Sequence, residues 1–351
     1  MSRRSLATVV VFVLLVGLAM LAVFVPVPYV VMGPGPTVNV LGETKDRPIV
    51  EVSGHKTYPT KGQLRLTTVS VTNPSAKVGL PQAIGAWFDG SRAVYPRAVI
   101  YPPDQSADEV EQQSAVEMVG SQDTAVAAAL TELGYRLPVQ VEVLAVTKGS
   151  PADGTLKVRD RVLEVDGTKI TKASQVGTLV QRKKVGQKIT VVVQRGSTRR
   201  TETLTTVASP DDPSKPVVGI QIGVGYDFPF NVDVRLGEDI GGPSAGLIFS
   251  LGVYDTLTPG SLTGGAKIAG TGTIDERGHV GPIGGIQQKI VAAADAGAKI
   301  FLVPPDNCGS ALGADVKKGE IRLVKAPTMH SAVTSLERYA KDPGATLPAC
   351  S

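Results

Sequence analysis

From Leu6 to Val25 the chain reads LATVVVFVLLVGLAMLAVFV without a single charge, and about twenty apolar residues is the length of helix that a bilayer core takes. Arg3 and Arg4 stand just before this run, and basic flanks stay on the cytoplasmic side. The expectation is a single-pass membrane anchor over residues 1–30, its N-terminus cytoplasmic and the body of the chain outside the cytoplasm. A cleaved signal peptide fits less well, because the run exceeds a signal core and no small-x-small site follows it. In that compartment Cys308 and Cys350 are permitted a disulfide, although their spacing does not show whether they meet.

The 351 residues, 42% hydrophobic, suffice for two or three compact domains. The 36 basic and 32 acidic residues are scattered, without the basic clusters and interleaved aromatics of a nucleic-acid surface, so no nucleic-acid partner is expected. No His/Cys cluster has zinc spacing, no Gly-rich loop ends in Gly-Lys-Ser/Thr, and no EF-hand loop is present. Neither a metal nor another cofactor is expected.

Residues 31–120 divide into a Pro/Gly-punctuated extended segment, a small β-rich region with alternating runs such as LRLTTVSV, and the start of a long helical connector. Ser106 and Glu109 have capping-box spacing at its start, and Gly134 is its stop. Residues 121–208 then read as strand, turn, strand, short helix and strand. Ser150-Pro151-Ala152, the DRVLEVDG of Asp160–Gly167 and the helix before ITVVV carry a resemblance to PDZ domains in a permuted order. That resemblance implies a groove that takes an extended peptide as an added strand. Two departures stand out: Arg159 occupies a position where such domains usually have glycine, and the loop before Val139 reads YRLP. The missing glycines tell against capture of a terminal carboxylate and leave strand addition open. Residues 209–216, SPDDPSKP, read as a linker, and residues 217–347 as the last domain.

In GEDIGGPSAGLIFSLGVY, glycines and a proline deliver the chain to Ser244, and an apolar helical run follows. A serine at a helix start sits beside unpaired backbone N–H groups, which suit an oxyanion. Ser244, Leu247, Ile248 and Leu251 share one helical face, so the serine is expected to point inward. A second helix, entered at Gly285 and ended at Gly297, places Lys289 on the same face as Ile286, Ile290 and Ala293, with Gln287 and Gln288 pointing away. A buried lysine without a carboxylate partner loses its proton easily and becomes a base, and a serine needs such a base to act as a nucleophile. His279, on the charged turn DERGHVGP, is the weaker candidate base.

GGPSAG, Gly241–Gly246, followed by GTGTIDERGHVGPIGGIQQKIVAAADAGAKIFLVP, Gly270–Pro304, closely resembles the proteolytic domain of Lon proteases, the serine-lysine endopeptidases. With the preceding PDZ-like module and the expected anchor, the chain is similar to the membrane-anchored, PDZ-containing Lon-like proteases of bacteria. The resemblance implies Ser244 as nucleophile, Lys289 as general base, Thr271 as the residue orienting the lysine, and backbone N–H groups of Ser244 and of Gly241-Gly242 as oxyanion donors. The sequence departs from Lon in showing no ATPase module, so ATP-driven unfolding is not expected.

The fold class expected is a multidomain α+β protein: N-terminal transmembrane helix, β-rich region, PDZ-like domain and Lon-type proteolytic domain. The partners expected are protein or peptide substrates, through C-terminal tails, with the membrane and a homo-oligomer as further associations. Two other functions stay open at this point: a non-catalytic PDZ-type envelope adaptor, and a protease that processes only itself.

Overall fold

The computed structural model describes residues 3–102, 107–210, 212–236 and 241–350. Ser106 of the expected capping pair lies outside them, as do Gly237–Ile240 and the side chain of Glu109. Along the chain, helix α1 (Arg3–Phe24) is followed by strands β1 (Tyr29–Asn39), β2 (Val50–Ser53) and β3 (Gln63–Val71). Helix α2 (Leu80–Phe88), strand β4 (Ala93–Pro96) and the long helix α3 (Ala107–Glu132) come next. Strands β5 (Val139–Val146) and β6 (Arg161–Val165), helix α4 (Ala173–Gln181), and strands β7 (Lys188–Arg195) and β8 (Thr198–Thr205) form the middle of the chain. The last part holds β9 (Ile220–Tyr226), β10 (Asn231–Val234), α5 (Gly246–Leu257), β11 (Lys267–Gly270), α6 (Ile286–Asp295), β12 (Ile300–Val303), β13 (Arg322–Lys325) and α7 (Met329–Lys341).

No helix among the described residues is long and apolar enough to cross a membrane. Helix α1 packs instead beside α2. The expected transmembrane anchor is therefore withdrawn, and with it the membrane association and the extracytoplasmic placement that rested on it.

The main sheet runs in the order β13-β12-β11-β3-β1-β4, so strands of residues 29–71 lie beside strands of residues 267–325. Strand β11 pairs parallel with both β12 and β3, while β1 runs antiparallel to β3. Every residue of β12 is buried, because helices cover the sheet on both faces and leave no solvated side. Ile300 and Leu302 join the core built with α3, α5 and α7. Phe301 and Val303, alternating with them, join the core under α6. Helix α3 ends where Gly134 takes φ 86°, and the bonds Tyr135 N–H to Leu130 O and Gly134 N–H to Thr131 O close the turn. Cys308 and Cys350 form a disulfide that fastens the C-terminal segment beside β13.

The second sheet, β8-β7-β6-β5-β9, has its own core, in which Val143, Val162, Val176, Ile189 and Val193 are buried with Val218. Its outer strand, β9, arrives from beyond the SPDDPSKP stretch. Across that stretch, Val207–Ala208 pairs antiparallel with Pro216–Val217. Strand β9 runs antiparallel to β5 with Ile220 opposite Val146 and Tyr226 opposite Val139. Ile220 and Ile222 pack against the core that includes Val176 and Val180 of α4. Helix α3, which packs on α5 as well as on β5 and β9, stands between the two sheets.

Candidate active site

Ser244 lies in a 3-10 turn, Pro243–Ala245, that leads directly into α5. The turn is entered through Gly242, whose φ of 86° is in the left-handed region that side-chain-bearing residues avoid. Leu247, Ile248 and Leu251 of α5 are fully buried, but Ser244 is only half-buried. From this turn Ser244 lines a cavity of about 360 Å³. Lys289, Gly242, Met118, Thr67 and Val69 line this cavity with it.

Lys289 belongs to α6, which rests on β1 and β3. The helix approaches β3 so closely that a Cβ at its entry residue Gly285, which has φ 68°, would lie 2.5 Å from Cγ1 of Val69. Lys289 is 3% exposed. Gln288 is buried as well, contrary to the reading that both glutamines point away, because α6 is enclosed on more than one side.

The serine and the lysine come from elements on opposite faces of the main sheet. They meet because β11 stops at Gly270 and the chain then crosses beyond the strand end, at the carboxyl edge where open α/β sheets form crevices. Thr271, fully buried, is the joint. Lys289 Nζ donates to Thr271 Oγ1 over 3.1 Å, and Thr271 Oγ1 donates to the Ser244 carbonyl over 2.9 Å. The N–H of Gly272 donates to the same carbonyl over 2.9 Å, and the Leu247 N–H returns a bond to Gly272 O over 3.1 Å. Ser244 Oγ has no hydrogen-bond partner among the described residues, and its side chain faces the cavity it lines.

Burial lowers the pKa of Lys289 to about 8, since low polarity disfavours the ammonium form. No carboxylate among the described residues pairs with it. His279 is remote from this arrangement: its exposed ring pairs with Asp275 over 2.8 Å and does not line the cavity.

Gly241 and Gly242 line the cavity beside Ser244, so all five residues singled out in the sequence, Ser244, Lys289, Thr271, Gly241 and Gly242, fall in one place. Sequence reading missed the opposite wall. Strand β11 pairs with β3 only as far as Leu66, so Thr67–Val71 continue past it along the cavity with that edge unpaired by a strand. Thr67 anchors the strand there by donating to Gly270 O over 3.2 Å. The alternation in LRLTTVSV was legible, but its place opposite a serine 170 or more residues away was not.

Two family models match: residues 112–206 match the PDZ domain, and residues 238–327 match the Lon protease (S16) C-terminal proteolytic domain. The chain carries a PDZ domain and a Lon-type serine peptidase domain. It is 36% identical over 92 residues to a Lon protease of Vibrio parahaemolyticus, covering 25% of this chain and 12% of that protein. It is 29% identical over 141 residues to one of Heliobacterium modesticaldum, covering 37% of this chain and 17% of that protein. The chain therefore spans only a small part of the curated relatives it matches. Among solved structures, the PDZ domain of an SdrC-like protein from Listeria innocua is 25% identical, with 24% of this chain and 92% of that one covered and a TM-score of 0.22.

Proposed function

We propose that the chain is an endopeptidase that uses Ser244 and Lys289 to cleave unstructured or tailed proteins without ATP, the PDZ domain holding the substrate. The observation that carries this reading is the buried Lys289 amine, with no carboxylate partner among the described residues and tied through Thr271 to the Ser244 turn inside one cavity. In the neutral form, Lys289 takes the Ser244 proton as Oγ attacks the peptide carbonyl. The backbone N–H groups of Ser244 and of the Gly241-Gly242 approach hold the oxyanion. The resulting ammonium returns its proton to the departing amine as the C–N bond breaks, and water then hydrolyses the ester and frees Ser244. Thr271 orients the lysine throughout.

The unpaired edge of Thr67–Val71 suits an extended substrate, which it would hold as an added strand across Ser244. In the PDZ domain, β9 is the outermost strand and offers the edge nearest α4. A tail bound there adds binding energy remote from the reacting bond.

The test compares the whole chain with Ser244→Ala on an unfolded protein without ATP. Wild type is expected to release fragments and the alanine variant none. Equal cleavage by the two would end the hydrolase reading, and a single internal cut without turnover of added protein would mark a chain that processes only itself.

A further inference from the structure

Among the described residues, four other than glycine take positive φ: Lys45, Asp46, Arg159 and Asp166. Lys45, Asp46 and Asp166 sit in tight hairpins, where turn geometry demands that conformation. Arg159, at φ 67°, is in no such hairpin, and it stands where the PDZ resemblance places a glycine. A strained backbone of this kind persists only when its surroundings fix it, and such positions cluster where function needs them.

The surroundings do fix it. The Arg159 N–H donates to Val143 O of β5 over 2.8 Å. The next residue, Asp160, is buried and held by Arg195 at 2.7 and 2.6 Å. The guanidinium then leaves the PDZ domain: one nitrogen reaches Asp123 of α3 at 2.9 Å and another reaches Asp233 of β10 at 3.2 Å. Two residues before Asp123 on the same helix, the Ser121 hydroxyl donates to the carbonyl of Pro243 over 3.1 Å. Pro243 is the neighbour of Ser244. Met118, one turn earlier on α3, lines the Ser244 cavity itself.

We propose that Arg159 is a positioning residue for Ser244, tying the PDZ domain to α3 so that Ser121 holds the Pro243 carbonyl and the turn behind it. The proposal rests on the assignment of Ser244 as nucleophile. Arginine is used because its fork spans two carboxylates on two different elements, which neither glycine nor a single ammonium can do. Occupation or displacement of the PDZ domain would reach the nucleophile through this helix.

The test is a double-mutant cycle on a short peptide substrate. Arg159→Lys keeps the charge but loses the fork, and Ser121→Ala cuts the far link. Each is expected to lower kcat about fivefold with KM unchanged, and the pair together to cost no more than the larger single effect, because both break one connection. Asp123→Asn, which keeps the shape of the helix-side partner, replaces Arg159→Lys if the lysine variant does not fold. A second arm works without activity: in the Ser244→Ala background, Arg159→Lys should speed amide exchange over residues 241–247. Effects that multiply in the cycle, wild-type kcat in Arg159→Lys, or unchanged exchange each overturn the proposal. If the wild-type chain hydrolyses nothing, the function reading fails and the exchange arm alone decides this one.

Discussion

Two cations, Lys289 and Arg159, are treated in opposite ways. Lys289 lies in an apolar setting with Thr271 as its hydrogen-bond partner, and burial alone lowers its pKa to about 8. Arg159 loses some favour for its charge through burial, but Asp123 and Asp233 outweigh that and raise its pKa. Desolvation acts on both; the partners decide the outcome. The surroundings of the first cation favour loss of its proton and those of the second favour keeping it, which matches the roles proposed for them: a base at Ser244 and a tie between two domains.

The contrast breaks most sharply at Lys289→Arg. A guanidinium stays protonated at any working pH, so hydrolysis should fall by about 10²–10⁴-fold, the usual contribution of a general base, with circular dichroism showing the fold intact. Near wild-type turnover would put the base elsewhere.

The pH dependence comes next in size. Hydrolysis by the wild type should rise about tenfold per pH unit below a midpoint near 8 and level off above it, because only the neutral amine accepts the serine proton. A flat profile between pH 6 and 9 would contradict a titrating Lys289.

Stability should move in opposite directions at the two sites. The folded pKa of Lys289 lies below the ordinary lysine value of 10.5, so the folded state binds fewer protons and its stability rises with pH between about 8 and 10.5. Lys289→Met should therefore stabilise the chain by roughly 1–3 kcal/mol below pH 8, with the gain fading as pH passes 10. Arg159→Met should instead destabilise it by about 1–3 kcal/mol, because Asp123 would be left buried and unpaired. Denaturant titrations of both variants at pH 7 and 10 read the difference.

The smallest effect belongs to Glu142, which lies beside Asp123 and Arg159 and whose pKa burial raises to about 7. Its folded value exceeds the ordinary 4.5, so the folded state binds more protons and loses stability as pH rises from about 4.5 to 7. Glu142→Gln should remove that slope and raise Tm slightly at pH 8. A variant with the wild-type pH dependence would show that Glu142 does not titrate there.

The sequence by itself carried everything set by local pattern. Helical spacing put Lys289 on the buried stripe of α6, and Gly-Gly-Pro before an apolar run placed Ser244 at a helix start. The apolar IFLV of β12 and the stop at Gly134 were legible for the same reason, since a helix or strand repeats its environment every few residues. Local pattern also misled where it took the apolar start of the chain for an anchor.

Only the tertiary structure decided what depends on strand pairing and long-range contact. Residues 29–71 join strands from residues 267–325 in one sheet, and β9 completes the sheet of the PDZ domain from beyond residues 209–216. The wall of the cavity at Thr67–Val71 and the bond from Thr271 to the Ser244 carbonyl follow from that pairing. Arg159 looked like a departure from a glycine, and its partners Asp123 and Asp233 are 36 and 74 residues away. A strand's partner and an ion pair's second half leave no mark on neighbouring residues, because what selects them is burial shared by segments far apart in the chain.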